Sequence, residues 1–306
     1  MTGPEISAVI VNYNAGAELR RALESLEREL YPVEWDAVVV DNASRDGSGE
    51  IAAEFGPRVR LLRNERNVGF ARGVNQGLAA TSGPLVLIMN PDCRVEPGAV
   101  ASLRRELERS DACAMTGPRI LDPDGTEQGN ARGDPDMFTG LFGRTTLLRR
   151  ALPGLPVSRR NVISDAVVRK GKTSVKVDWL SGACILARRA ALHAVEGFDE
   201  RYFLYWEDAD LCRRLRNQGY EVRYVPGATA VHRVGQSSQS ARAVAIRAFH
   251  ESAYLYYATH VASGSWPRRV LARALLSARC WLRLRTVNPA AADSASECEE
   301  PTARAT

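Results

Sequence analysis

Three short apolar runs, each closed by a polar cluster, constrain this chain more than any other feature. Residues 6–11 end on Asn12-Tyr13-Asn14, residues 37–40 on Asp41-Asn42, and residues 85–89 on Asn90-Pro91-Asp92. Residues 59–62 read as a further strand. Between the first two, Leu19, Leu23, Leu26 and Leu30 recur at helical spacing, which puts them on one stripe of a helix. Residues 70–80 and 97–109 also read as helices. Strands alternating with helices give an α/β fold, a mostly parallel sheet with helices on both faces. In such sheets ligands bind beyond the carboxyl ends of the strands, so three polar clusters at three strand ends predict one site.

The pattern weakens over 121–176, where Gly, Pro and Arg are frequent, and the spacing predicts a long lid or substrate loop there. Order returns at Trp179-Leu180-Ser181-Gly182. A helix follows over 207–215, with Leu211, Cys212 and Leu215 on one face, and then an extended segment over 222–231. The expected layout is a catalytic domain over 1–240, a basic helical extension over 241–285, and a disordered Ala/Ser/Glu-rich tail over 286–306.

Charge is unevenly placed. The whole chain carries 41 basic and 36 acidic residues, a net of +5. Within 241–285 there are eight Arg against the single Glu251, while 1–240 is close to neutral. That distribution argues against a nucleic-acid wrapper. On a helical wheel Arg268, Arg269, Arg273, Arg279 and Arg283 share one side, and Val270, Leu271, Leu275, Trp281 and Leu282 the other. A basic amphipathic helix over 267–285 is expected to lie on an anionic membrane, or else to pack on the catalytic domain or a second subunit. A homo-oligomer is left open. The six cysteines lack CxxC or paired spacing, so no zinc site or disulfide framework is expected. Neither a signal peptide nor a membrane-spanning run is read. The expected location is the cytoplasm, at the inner face of the cell membrane.

Several residues have chemistry to offer. Asp41 emerges at a strand end, where it can accept from a base N–H or a ribose hydroxyl; the alternative is a turn former. Asp92 has the same placement, and an acidic oxygen there suits Mg²⁺ or Mn²⁺ on a diphosphate. Glu207-Asp208-Ala209-Asp210 opens a helix behind Tyr205-Trp206. Carboxylates in a first helical turn favour the helix dipole, yet beside aromatic rings on which sugars stack they also suit a general base. His232 ends a strand and is either structural or a ligand. His193, His250 and His260 have no acidic partner at ligand spacing and read as structural. Asn67-Val68-Gly69-Phe70 enters a helix whose N-terminus can hold phosphate. GxGxxG, the Walker sequence and GxSxG are all missing, which disfavours a dehydrogenase, a P-loop NTPase and an α/β-hydrolase.

Taken in order, Val-Asn-Tyr-Asn (11–14), Val-Asp-Asn-Ala-Ser (40–44), Asn-Val-Gly-Phe-Ala (67–71) with Asn75, and Asn-Pro-Asp (90–92) form a pattern. Trp-Leu-Ser-Gly-Ala (179–183), Gly-Phe-Asp-Glu-Arg-Tyr-Phe (197–203), Glu-Asp-Ala-Asp-Leu (207–211) and His232 continue it. It resembles family 2 glycosyltransferases of the GT-A fold, and within them the rhamnosyltransferases that act on lipid-linked N-acetylglucosamine. The resemblance implies a metal-dependent, inverting transfer of L-rhamnose from dTDP-rhamnose to a polyprenyl-diphosphate-linked acceptor in cell-wall polysaccharide synthesis. It implies nucleotide-sugar binding by Val11, Tyr13, Asp41, Gly69, Asn75, Asn90 and Gly182, and acceptor binding by Trp179, Tyr205 and Trp206. Asp92 and His232 would hold Mg²⁺ or Mn²⁺. Asp208 would be the general base, with Glu207 beside it as the second candidate. The family's Asp-x-Asp stands here as Asn90-Pro91-Asp92, which puts more weight on His232. A UDP-galactofuranose or UDP-hexose donor is the alternative within this class, and a nucleotidyltransferase the alternative outside it.

Overall fold

The computed structural model describes residues 3–135, 173–233 and 242–286. The first half comprises β1 (Ile6–Asn12), α1 (Glu18–Leu30), β2 (Trp35–Asp41), a 3₁₀ segment (Ser48–Arg58) and β3 (Val59–Arg63). These are followed by α2 (Phe70–Ala79), β4 (Leu85–Met89), β5 (Cys93–Val95), α3 (Ala99–Glu108), β6 (Cys113–Leu121) and β7 (Ala131–Arg132). The second half has β8 (Val175–Lys176), β9 (Trp179–Leu180), β10 (Cys184–Arg188), α4 (Arg189–Ala194), α5 (Glu207–Asn217) and β11 (Glu221–His232). It closes with α6 (Arg242–Tyr256), a π turn (Tyr257–Val261) and α7 (Trp266–Arg285).

Among the described residues the main sheet has nine strands in the order β3-β2-β1-β4-β10-β6-β11-β5, with β8 on β11. The β3-β2-β1-β4 portion is parallel, as the strand–helix alternation predicts. Beyond it β10 runs antiparallel to β4 and β6, and β11 is parallel to β6. The period of two along β1 sorts its side chains between two cores. Ile6, Ala8 and Ile10 meet the leucine stripe of α1 and Val100, Leu103 and Leu107 of α3. Val9 and Val11 meet Phe70, Val74 and Leu78 of α2 on the other face, where Leu211 and Leu215 of α5 also pack. Both faces of the sheet are covered, which is why its strands read as continuous apolar runs.

Helix α2 lies unusually close to β1. A Cβ built on Gly77 would sit 2.3 Å from Val9 Cγ1. Gly77→Ala is therefore expected to destabilise the protein by about 1–3 kcal/mol through overpacking. A denaturant melt checks this, and an unchanged midpoint would contradict it.

The expected excursion over 121–176 is built structure at its two ends. Asp122 N–H donates to the Thr126 carbonyl at 2.7 Å, Gln128 N–H to Ile120 at 2.9 Å, β7 pairs with β9, and β8 pairs with β11. Backbone pairing supplies the order that side-chain periodicity does not announce. Residues 136–172, the rest of that excursion, lie outside the described residues, as does the tail from 287. Cys93, Cys113, Cys184 and Cys212 are buried and, with the partly exposed Cys280, unpaired.

Candidate active site

Strand register gathers the polar ends. In β1 and β2, Asn12 stands opposite Asp41. Asn12 Nδ2 donates to Asp41 Oδ1 at 2.7 Å and to Ser48 Oγ at 2.8 Å, while the Ser44 amide donates to Asp41 Oδ2 at 3.2 Å. Asp41 is thus a buried acceptor held by the Asn12 amide of β1 and the Ser44 backbone of the loop that follows β2. Tyr13 is half-buried just beyond it. The side chain of Val11 is in the core against Gly73, so a ligand meets its backbone; pairing of β1 with β4 ends at Ile10–Met89, one residue earlier.

The next cluster lies where β4, β5, β10 and β11 meet. Asn90 N–H donates to the Ala183 carbonyl at 2.9 Å, and Cys184 of β10 pairs with Met89, which places Gly182 beside the end of β4. His232 pairs with Cys93 across β11 and β5, bringing its Nε2 to 3.2 Å from Asp92 Oδ1 and 3.2 Å from Asn90 Nδ2. The other ring nitrogen is set by Gln128, which sequence reasoning missed. Gln128 Nε2 donates to the His232 carbonyl at 2.6 Å and to Asp122 Oδ1 at 2.8 Å. Its Oε1 then faces His232 Nδ1 at 2.9 Å and demands a proton there. The Nε2 lone pair of a neutral ring consequently points at the buried Asp92 carboxylate. Two acceptors facing each other fit a divalent cation between them, and an imidazole oriented from behind is how proteins prepare such a ligand. Among the described residues no group of three or more His, Cys, Asp or Glu gathers for a metal, so a cation here would need oxygens from a ligand or water.

At the same edge, α5 begins. Asp208 is half-buried; its Oδ2 accepts from the Gly182 amide at 2.9 Å and its Oδ1 from the Ala209 amide at 2.8 Å. Burial pushes its carboxyl above the ordinary aspartate value, and the two amides oppose that push. Glu207 is only 5% exposed, and its Oε2 has no hydrogen-bond partner. Burial, and then the Asp208 charge, drive its carboxyl well above the usual range. Of the two, Asp208 is the more exposed, and both of its oxygens are held by backbone amides. Glu207 is the more deeply buried of the two, and one of its oxygens is left without a partner.

Three sets of the expected residues have protein partners of their own. Trp179 and Trp206 do not offer open rings to a sugar: they are 9% and 6% exposed and stack on each other at 6.3 Å. The Arg132 guanidinium lies over Trp179, and Phe249 and Tyr256 pack against Trp206. Tyr205 stands at the surface beside them, edge-on to Phe249. Asn75 does not face the nucleotide end. Its Oδ1 accepts from Phe198 N–H at 2.9 Å and its Nδ2 donates to the Phe198 carbonyl at 2.8 Å, so it clamps the turn before α5. Gly69 does not expose free amides for phosphate either. Its N–H donates to Asn67 Oδ1, and Phe70 N–H donates to the Phe203 carbonyl at 2.7 Å. With φ at +88° and room for no Cβ (2.5 Å from the Phe203 oxygen), Gly69 serves close backbone approach.

Comparisons with known proteins show the family and the fold. The family model for Glycosyl transferase family 2 matches residues 7–165. The N-acetylglucosaminyl-diphospho-decaprenol L-rhamnosyltransferase of Mycobacterium tuberculosis is 34% identical over 297 residues, covering 92% of this chain and 93% of that protein. Among solved structures, GalNAc-T7 with UDP, GalNAc and Mn²⁺ superposes with a TM-score of 0.57 at 19% identity, over 76% of this chain and 44% of that one. The mannosyltransferase PcManGT of Pyrobaculum calidifontis, in complex with GDP-Man and Mn²⁺, gives 0.53 at 18% identity, over 97% and 80%. These likenesses show the fold to be GT-A.

Proposed function

The chain belongs to glycosyl transferase family 2, and on that premise we propose that this glycosyltransferase moves L-rhamnose from dTDP-rhamnose, with inversion, to a polyprenyl-diphosphate-linked N-acetylglucosamine. Family membership sets aside the nucleotidyltransferase alternative. The observation that carries the mechanism is the Asp208 carboxylate, held by the Gly182 amide just before β10, the strand beside β4, after whose end Asn90 and Asp92 meet His232. The donor and acceptor rest on the 34% identity to the mycobacterial rhamnosyltransferase.

Asp208 takes the proton of the acceptor hydroxyl as that oxygen forms its bond to the anomeric carbon. The bond from that carbon to the diphosphate oxygen breaks on the opposite face, and its electron pair leaves with the nucleoside diphosphate. A carboxyl raised by burial is a stronger base than a free aspartate, which suits a sugar hydroxyl. Asp41 and the backbone near Val11 and Tyr13 hold the base and ribose, and Tyr205 supplies an aromatic face to the acceptor. Asp92 and His232 would hold Mg²⁺ or Mn²⁺, which would supply positive charge near the departing diphosphate. The deciding test is a panel of dTDP-rhamnose, UDP-galactofuranose and UDP-hexoses against a lipid-diphosphate-GlcNAc. Product from dTDP-rhamnose is expected. Product from a UDP donor alone would overturn the rhamnosyl assignment.

The acceptor's lipid places the enzyme at the inner face of the cell membrane, and α7 is suited to that surface. No helix among the described residues is long and apolar enough to cross a membrane. Instead, α7 turns Ala272 and Leu276 inward and leaves Trp266 (70% exposed), Val270, Leu271 (54%), Leu275, Trp281 and Leu282 open. Two of its arginines face the protein: Arg273 lies over Tyr254 and Arg279 over Phe249. A helix that stacks cations inward and presents leucine and tryptophan outward is built for an apolar medium. The remaining positive charge favours anionic lipid at about 1 kcal/mol per arginine near the surface. We expect salt-sensitive binding to phosphatidylglycerol vesicles that is lost in Leu271→Asp/Leu275→Asp. Unchanged vesicle binding in that variant, or dimerisation through this face without binding, would dispose of the membrane reading.

A further inference from the structure

Beneath α5 lies a buried ionic cluster that the chemistry above does not use. Asp210, 1% exposed and two residues after Asp208, faces inward. Its Oδ2 accepts from Arg214 Nε at 2.7 Å, and its Oδ1 lies 2.7 Å from His260 Nε2. Arg214 continues to the Gly197 carbonyl at 2.8 Å, the turn that Asn75 clamps. His260 reads as structural from sequence spacing because its partner is 50 residues away; the fold brings the two together. With Asp210 ionised against Arg214, the contact requires a proton on Nε2, so His260 is a hydrogen-bond donor to a carboxylate.

His260 sits in the π turn that joins α6 to α7, a local departure from α geometry of the kind that re-aims side chains. The same hairpin grips the segment leading into α5 at further points. Ser252 Oγ donates to the Leu204 carbonyl at 3.0 Å. Phe249 packs edge-on to Tyr205 and Trp206, and Tyr256 lies 5.5 Å from Trp206 and 4.9 Å from the His260 ring. That segment needs holding: Tyr205 and Trp206 have φ of +68° and +69°, two consecutive non-glycine residues in the left-handed region. Backbone of this kind persists only where its surroundings over-determine it.

We infer that His260 is a positioning residue for sugar transfer: its bond to Asp210 fixes the Tyr205–Trp206 turn and the first turn of α5, and so the aim of Asp208. The α6–α7 hairpin is then part of the transfer machinery, and the bond ties the base to the lipid-facing helix. This rests on Asp208 being the base, and the test separates the two claims.

The test compares full-length His260→Ala, His260→Gln and Asp208→Asn by kcat, by dTDP affinity in calorimetry and by thermal melting. His260→Ala is expected to keep dTDP affinity within about twofold and to lose about 10–100-fold in kcat, the scale of a misplaced catalytic group. His260→Gln, which retains an N–H donor, is expected to recover most of that loss. If His260→Ala does not fold, Asp210→Asn, which keeps the side chain's shape but removes the charged acceptor of the His260 bond, reads the same split of kcat against affinity. Wild-type kcat in folded His260→Ala, or parallel losses of kcat and dTDP affinity, would overturn the inference. Full turnover in Asp208→Asn removes the base assignment itself, whereas loss there with normal His260→Ala removes only the positioning role of His260.

Discussion

Asp208→Asn is expected to lose sugar transfer by about 10²–10⁴-fold, the usual contribution of a positioned general base, while nucleotide affinity stays unchanged. The substitution keeps the side chain's shape but removes the group that accepts the proton. Nucleotide affinity is spared because Asp41 and the ends of β1 and β2 belong to different elements from α5. The pH dependence should follow. Burial raises the Asp208 carboxyl, so in the wild type kcat climbs with pH as the carboxylate forms, and that limb lies above the range of an ordinary aspartate. Glu207 is raised alongside it by burial and by the Asp208 charge, so the limb is a property of the pair. Residual activity of Asp208→Asn should lack the Asp208 component of that limb. Near-normal turnover in the variant would rule Asp208 out.

Chelation is the second large effect: EDTA should abolish transfer, and Mg²⁺ or Mn²⁺ should restore it. Among the described residues, Asp92 and His232 are the pair that face each other at the expected place, at 3.2 Å. Two protein ligands bind a hard cation weakly, so metal affinity should appear mainly when nucleoside diphosphate is present to add its oxygens. Titration of Mn²⁺ with dTDP should therefore show tight binding in the wild type and a large loss in Asp92→Asn. Gln128→Ala should weaken the metal by about 10–100-fold without touching it, because the imidazole loses the partner that fixes its tautomer. Full activity in chelator would refute the roles of Asp92 and His232.

The parts of the fold that were legible in the sequence are those with a local signature. The leucines of α1 and the alternation in β1 both sort residues by face at a fixed period, and both pack as that period requires. The polar ends were legible because a strand that is buried on both faces leaves its ligand chemistry to the residue after it. What was hidden depends on partners distant in sequence. Gln128 stands in a stretch without periodicity, and its importance comes only from the register that carries His232 alongside. His260 and Asp210 meet across 50 residues. Trp179 and Trp206 were recognisable as aromatic neighbours of the site, but a sequence does not say which ring faces are already covered. The helix α7 was amphipathic on paper in the usual sense; only packing reveals that arginines on its polar side stack on α6 while its apolar side stays open.

The central claim is a single displacement in which Asp208 deprotonates the acceptor. The configuration of the transferred sugar tests it most directly, read by NMR at the anomeric centre of the first product formed from dTDP-rhamnose and lipid-diphosphate-GlcNAc. The account predicts the configuration opposite to that of the donor. Retention of the donor's configuration would contradict it.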